Sequence, residues 1–267
     1  MPDQRMYPAF AESQLPHVGT YRRVLPISLE RMYENTLDWA HLPYVHSTSF
    51  AAIECEAEGP WGWRARTTTR DGETLVLELR LDRECRRWIT RTLDGTNAGS
   101  EIWTHAFAVA ARRTDIVVDF FVPGVEPAAR DKVGAAFCRT YERLYDEDVA
   151  MMFERQRQLD VRIETRARDP DSVCIGPRET LTFPMLVTFD RRPYHVVDLN
   201  GELVAHVTRC PHQLGPLPAA QDGMLRCPWH GYEFDVRTGA CLSGKVYRLP
   251  QAPVVAERDG RLWLDPR

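Results

Sequence analysis

Two short segments combine thiol and imidazole side chains: Cys210-Pro211-His212 and, fourteen residues later, Cys227-Pro228-Trp229-His230-Gly231-Tyr232. Each offers one cysteine and one histidine. Two thiolates on one iron and two imidazoles on the other form the donor set of a [2Fe-2S] cluster whose potential lies above that of an all-cysteine cluster. The same four residues could hold zinc in a tetrahedral Cys2His2 site. Zinc fingers, however, keep Cys with Cys and His with His. Here each loop mixes the two, which favours the cluster.

A second set lies in Glu34-Asn35-Thr36-Leu37-Asp38-Trp39-Ala40-His41-Leu42-Pro43-Tyr44-Val45-His46. Two histidines five apart, across a helix end loosened by Pro43, could turn both rings toward one metal. Asp38, one turn before His41, lies on the same side. Taken alone, the spacing also suits a structural or surface histidine pair, with Asp38 a solvated helix-end acid.

The cluster motif, extended as Cys-Pro-Trp-His-Gly-Tyr-Glu-Phe-Asp, resembles the Rieske domains of bacterial ferredoxins and ring-hydroxylating oxygenases, over roughly Val173 to Leu264. The loop between His212 and Cys227 is slightly shorter than usual for that family. Gln213 to Gly215 and Pro228-Trp229 lack the extra disulfide cysteines of respiratory Rieske proteins, which points to the lower-potential, intracellular branch. Asp38-x-x-His41-x-x-x-x-His46, preceded by Glu34-Asn35, resembles the mononuclear iron segment of Rieske non-haem iron oxygenases, in particular the vanillate demethylase and dicamba monooxygenase branch.

That resemblance implies an Fe(II) held by His41, His46 and an Asp on a long helix closing the catalytic domain, with other positions open for O2 and water. The candidates are Asp146, Glu147 and Asp148. Asp148 alone continues the stripe Phe137, Tyr141, Leu144, Met152, so it faces inward, where an uncompensated carboxylate is costly and a cation would offset it. A helix carboxylate paired with Arg143 or Arg155 is the alternative. The resemblance also makes Asp38 an electron-transfer bridge between His41 and His230 of a neighbouring subunit. It implies a homo-oligomer, most simply a cyclic trimer closed by head-to-tail contacts.

The activity implied is hydroxylation or oxidative demethylation of an aromatic or other apolar small molecule with O2. No Gly-rich dinucleotide fingerprint occurs, so a separate NAD(P)H-dependent flavin reductase, with or without a ferredoxin, would supply electrons. Familiar members place the cluster domain first, whereas here the iron segment precedes the cluster. The rival is a Rieske electron carrier fused to a metal-free ligand-binding or docking domain.

The elements that would position these residues follow from periodicity. Ser28 to Leu37 has helical spacing, ending near Pro43. Trp61 to Thr69 and Leu75 to Leu81 alternate about Asp71-Gly72, a hairpin, with further strands at Arg87 to Leu93, Glu101 to Ala108 and Asp115 to Val122. From Pro127 a long helix is expected to about Ile163. Short strands broken by Gly and Pro fill the rest. The fold class is therefore α+β: a helix-grip-like antiparallel sheet with a long closing helix over residues 1–167, then an all-β Rieske domain over 173–267. The linker falls at Thr165 to Ser172.

The 267 residues, 43% hydrophobic and 27% charged with net charge −4, suit a globular protein with no nucleic-acid or anionic-membrane partner. No apolar run reaches membrane-spanning length, and Met1 to Phe10 lacks the apolar core of a secretory signal, so a cytoplasmic location is expected. Seven cysteines without regular spacing beyond the two loops argue for thiols kept reduced. Cys174 and Cys241 are expected to be structural, and His17, His105, His195 and His206, which have no partner spacing, to be structural or surface residues.

Overall fold

A computed structural model describes residues 13–164 and 171–267, in two compact units, Met1–Phe153 and Glu154–Arg267. The expected linker lies for the most part outside the described residues, since 165–170 are not among them. Each unit builds its own core.

The first unit is a seven-stranded antiparallel sheet in the order β1-β7-β6-β5-β4-β3-β2. Its strands are β1 (His17–Leu25), β2 (Phe50–Gly59), β3 (Gly62–Thr69), β4 (Thr74–Asp82), β5 (Arg87–Asp94), β6 (Glu101–Ala110) and β7 (Arg113–Phe121). The alternating residues read from the sequence face the core, where Trp63, Ala65, Leu79 and Val118 are buried. Helix α3 (Arg130–Glu164) crosses this face, led in by a 3-10 turn at Pro127–Ala129. Phe137 and Tyr141 pack on Phe120 with ring centroids 5.1 and 5.0 Å apart. One close approach needs two glycines: a Cβ on Gly134 of α3 would stand 2.0 Å from the Val18 carbonyl oxygen.

Between β1 and β2 run α1 (Leu29–Leu37), a 3-10 turn (Trp39–His41) and α2 (Leu42–Val45). Ser28 caps α1 by accepting from the Arg31 backbone N–H, as expected of a serine before an apolar-periodic stretch. The helix stops at Leu37, earlier than Pro43 suggested. Pro43 instead occupies the first turn of α2, where its missing N–H costs nothing. The chain thus turns twice between Asp38 and His46.

The second unit is all-β beyond α3. One sheet has the order β11-β10-β9 (Glu202–Val207, Arg192–Leu199, Met185–Phe189), another β14-β15-β8 (Val254–Arg258, Arg261–Asp265, Val173–Pro177). Val187, Phe189, Tyr194, Val196, Ala205 and Leu264 form its core. A two-stranded ribbon, β12 (Met224–Arg226) with β13 (Glu233–Asp235), carries the second cysteine-histidine loop.

Candidate metal centres

In the first unit the double turn after α1 brings His41 and His46 together with Asp148 of α3. His41 Nε2 and His46 Nε2 are 3.3 Å apart, and Asp148 Oδ1 lies 3.4 Å from the first and 3.1 Å from the second. Three cis positions of an octahedron with bonds of about 2.1 Å stand about 3.0 Å apart, and three corners of a tetrahedron about 3.4 Å. The triangle fits either. All three residues are buried, His41 and His46 to 3% and 4% exposure and Asp148 to 8%. Two imidazoles and one carboxylate on one face are donors suited to a non-haem Fe(II) with open positions.

The partners behind these donors fix their orientation. His46 Nδ1–H donates to Glu147 Oε2 at 2.7 Å, which leaves its Nε2 free to face a metal. Asn35 Nδ2 donates to Asp148 Oδ1 at 3.0 Å. Asp38 Oδ2 stands 3.8 Å from His41 Nδ1, on the side away from the triangle. Burial would raise the Asp148 carboxyl, but its contacts with His41 and His46 outweigh that and hold it well below the usual carboxylate range. Burial likewise lowers His46, and Asp148 and Glu147 reverse it to a net rise.

Of the other acids considered, Asp146 is exposed and pairs with Arg23 Nη1 at 2.6 Å, and Glu147 sits behind His46 rather than at the triangle. Arg143, a possible partner for Asp148, donates instead to Ser49 Oγ at 3.0 Å. The triangle borders a cavity of about 530 Å³, walled by β4 leucines, Trp63, Trp88 and the inner face of α3.

In the second unit, the loop after β11 carries Cys210 and His212 and the β12–β13 turn carries Cys227 and His230. Both loops are closed by their own backbones: Leu214 N–H donates to Cys210 O and Cys210 N–H to Gly215 O, at 3.0 and 2.9 Å. Gly231 N–H donates to Cys227 O and Cys227 N–H to Tyr232 O, at 2.8 and 2.9 Å. These turns need left-handed backbone at Leu214 and Gly231, with φ of 62° and 65°. Cys210 and Cys227 are buried to 1% exposure, and the His212 and His230 rings lie 4.4 Å apart. The contact between the two cysteines holds the Cys227 thiol below its usual range and Cys210 above it. Two buried sulfurs facing two adjacent imidazoles match the donor arrangement of a two-iron cluster.

Gly215 shows how tight this cradle is. A Cβ there would lie 2.9 Å from the Trp229 ring and 3.1 Å from Cys227 Sγ. Nothing in the sequence marked Gly215, nor Asn35 and Glu147 as supports. Their partners are distant along the chain. His17 lies on Asp119, and His206 is held by the Val207 carbonyl and the Ala220 N–H, so both are satisfied structurally. Cys174 Sγ accepts from Arg261 Nε at 3.3 Å. Gly215→Ala should therefore reduce cluster content, read as visible absorbance per chain, while the far-ultraviolet circular dichroism stays unchanged. Full cluster content in that variant would show that the loops close differently.

Residues 172–253 match the Rieske [2Fe-2S] domain family. Protein TIC 55, chloroplastic, of Arabidopsis thaliana is 35% identical over 74 residues, 27% of this chain and 13% of its own length. Pheophorbide a oxygenase, chloroplastic, of Oryza sativa subsp. japonica is 45% identical over 56 residues, 20% of this chain and 10% of its own length. The chain thus matches only a small part of these relatives. A START superfamily protein from Mycobacterium smegmatis, 15% identical, superposes over 51% of this chain and 97% of its own with a TM-score of 0.43.

The relatives overturn the expectation of a cytoplasmic location, since they are chloroplastic proteins. That expectation rested on the lack of an apolar signal core in Met1 to Phe10, a feature that amphipathic transit segments share. Among the described residues no helix is long and apolar enough to cross a membrane. The mixed Cys-His loops, the buried sulfur pair and the family match agree against zinc. The segment 172–253 of this chain is a Rieske [2Fe-2S] domain.

Proposed function

We propose that the chain is the oxygenase component of a Rieske system, using O2 and electrons from a separate NAD(P)H-dependent flavin reductase to hydroxylate or oxidatively demethylate a small organic molecule. One observation carries this reading: the buried His41–His46–Asp148 triangle borders a large cavity, in a chain that also holds a Rieske domain. A carrier with a metal-free docking domain gives no reason to bury two histidines around a carboxylate. On this reading residues 1–167 are the catalytic domain and 173–267 the cluster domain.

When bound, the cluster at Cys210, His212, Cys227 and His230 would supply electrons singly, and an Fe(II) at His41, His46 and Asp148 would activate O2. The chain's own residues do the rest. Glu147 and Asn35 hold His46 and Asp148 in the orientation a metal needs. Apolar side chains from β4 and α3 line the cavity that would hold the body of the substrate. Asp38, beside His41, is proposed as the bridge toward His230 of the partner subunit, in a homo-oligomer that closes as a trimer.

Asp148→Ala should abolish the nitric-oxide signal of a mononuclear Fe(II) and lower O2-dependent substrate oxidation by more than about 100-fold, above the usual cost of losing an outer-shell partner. The spectrum of the cluster should not change, because its ligands lie in another domain. Retention of the nitrosyl signal would remove Asp148 from the site. For the intersubunit bridge, His230→Ala and His46→Ala should each be inactive alone and regain part of the activity when co-expressed as mixed oligomers. Mixed assembly without recovery would contradict it.

A further inference from the structure

The cavity beside the triangle carries information about what it accepts. From Asp148 back to Ala136 its lining spans twelve residue steps of α3, about 18 Å at 1.5 Å per residue. At about 30 Å³ per water-sized group, about 530 Å³ holds about eighteen such groups. A single substituted benzene ring would leave much of that space empty. Most of the wall is apolar: Leu75, Leu77 and Leu79 present alternate positions of β4, opposite Phe137 and Leu144 of α3.

Charge is confined to one end. Among the described residues that line the cavity there is no lysine and no arginine, and the acids and histidines are Asp38, His41, His46 and Asp148. A carboxylate drawn into this space would meet no cation from the chain along its walls, and burying an unpaired anion is costly. The far end is polar without charge. Thr90 and Thr92 point in from β5, Asn97 stands in the β5–β6 turn, and Ser100, 3% exposed, follows it. Ser100 Oγ donates to Thr92 Oγ1 at 3.1 Å, which leaves the Thr92 hydroxyl proton for a further acceptor.

Connectivity sets these two ends apart. Glu101, next to Ser100, pairs with Phe121 at the end of β7, and the chain leaves Phe121 for the start of α3. Ser100 therefore lies at the sheet end where α3 begins, while Asp148 is eighteen residues further along that helix. We propose that this cavity takes an uncharged, elongated molecule of three- to four-ring size, whose far end carries a carbonyl, ether or hydroxyl oxygen that accepts from the Thr92 hydroxyl, itself oriented by Ser100, and that it rejects aromatic carboxylates. This deepens the oxygenase reading and names the substrate class of its site.

The test uses binding alone, with the full-length oxidised protein, no electron donor, and three fluorescent probes sharing one skeleton: 1-hydroxypyrene, pyrene and pyrene-1-carboxylate. Trp63 and Trp88 line the cavity and serve as energy donors. 1-Hydroxypyrene should bind saturably, at least about tenfold more tightly than the carboxylate. Thr92→Val should weaken 1-hydroxypyrene by about 2- to 10-fold, as expected for one hydrogen bond, and leave pyrene within about twofold. Leu77→Trp, which fills the cavity, should weaken both neutral probes. Equal or tighter binding of the carboxylate, no binding of any probe, or indifference of 1-hydroxypyrene to both substitutions would overturn the proposal. Because nothing is turned over, the two readings separate: probe binding by a protein that takes up no mononuclear iron at His41, His46 and Asp148 would defeat the oxygenase reading and leave the binding class standing.

Discussion

Asp148 places a carboxylate inside the apolar interface between α3 and the sheet, and much of the first unit can be understood as what makes that position tolerable. An unpaired buried charge of this kind costs several kcal/mol. Here His41 and His46 approach one of its oxygens at 3.4 and 3.1 Å, and Asn35 donates to the same atom. To bring those groups there, α1 must end before His41 and the chain must turn twice before β2. The 3-10 turn, the proline-started α2 and the hydrogen bond from His46 N–H to Leu42 O accomplish this. Glu147 then stands one residue away on α3, close enough to hold the second histidine from behind.

The Rieske unit solves a related problem with other means. Its donors come from two loops rather than a helix face, so backbone hydrogen bonds and left-handed residues do the positioning that side-chain pairs do in the first unit. Close packing sets the remaining shape: Gly215 gives the Trp229 ring and Cys227 Sγ the room they occupy. Each unit thus completes its own donor set from its own residues. A chain with the His41–His46 segment first and the cluster loops last can therefore assemble both groups of donors, because neither depends on the order in which they are made.

The sequence revealed the parts whose signal is local. Alternation from Trp63 to Thr69 and Leu75 to Leu81 describes strands whose inward residues are now buried, and the Asp71-Gly72 turn lies between them, with Gly72 at φ 89°. The stripe through Phe137, Tyr141 and Met152 placed Asp148 inward on the right helix. Two strands escaped notice. In β1 the adjacent Arg22 and Arg23 interrupt alternation, and in β2 alanine and glutamate, which favour helices, are held extended by pairing with β3. Glu147 could not be told from Asp146 as a bystander, since the partner that distinguishes it, His46, is 101 residues away. The polar end of the cavity is local, in β5 and the turn beyond it, but that its hydroxyls line a cavity follows only from packing under α3.

The account stands or falls on a second iron site separate from the cluster. Iron and acid-labile sulfide should be measured together on protein prepared without oxygen and supplied with Fe(II), then freed of loosely bound metal, beside His41→Ala prepared in the same way. The account predicts one iron per chain beyond the two that accompany the two sulfides of the cluster, and the loss of that one iron alone in His41→Ala. Equal amounts of iron and sulfide in both proteins would contradict it and leave His41, His46 and Asp148 as a buried hydrogen-bonded group without a metal.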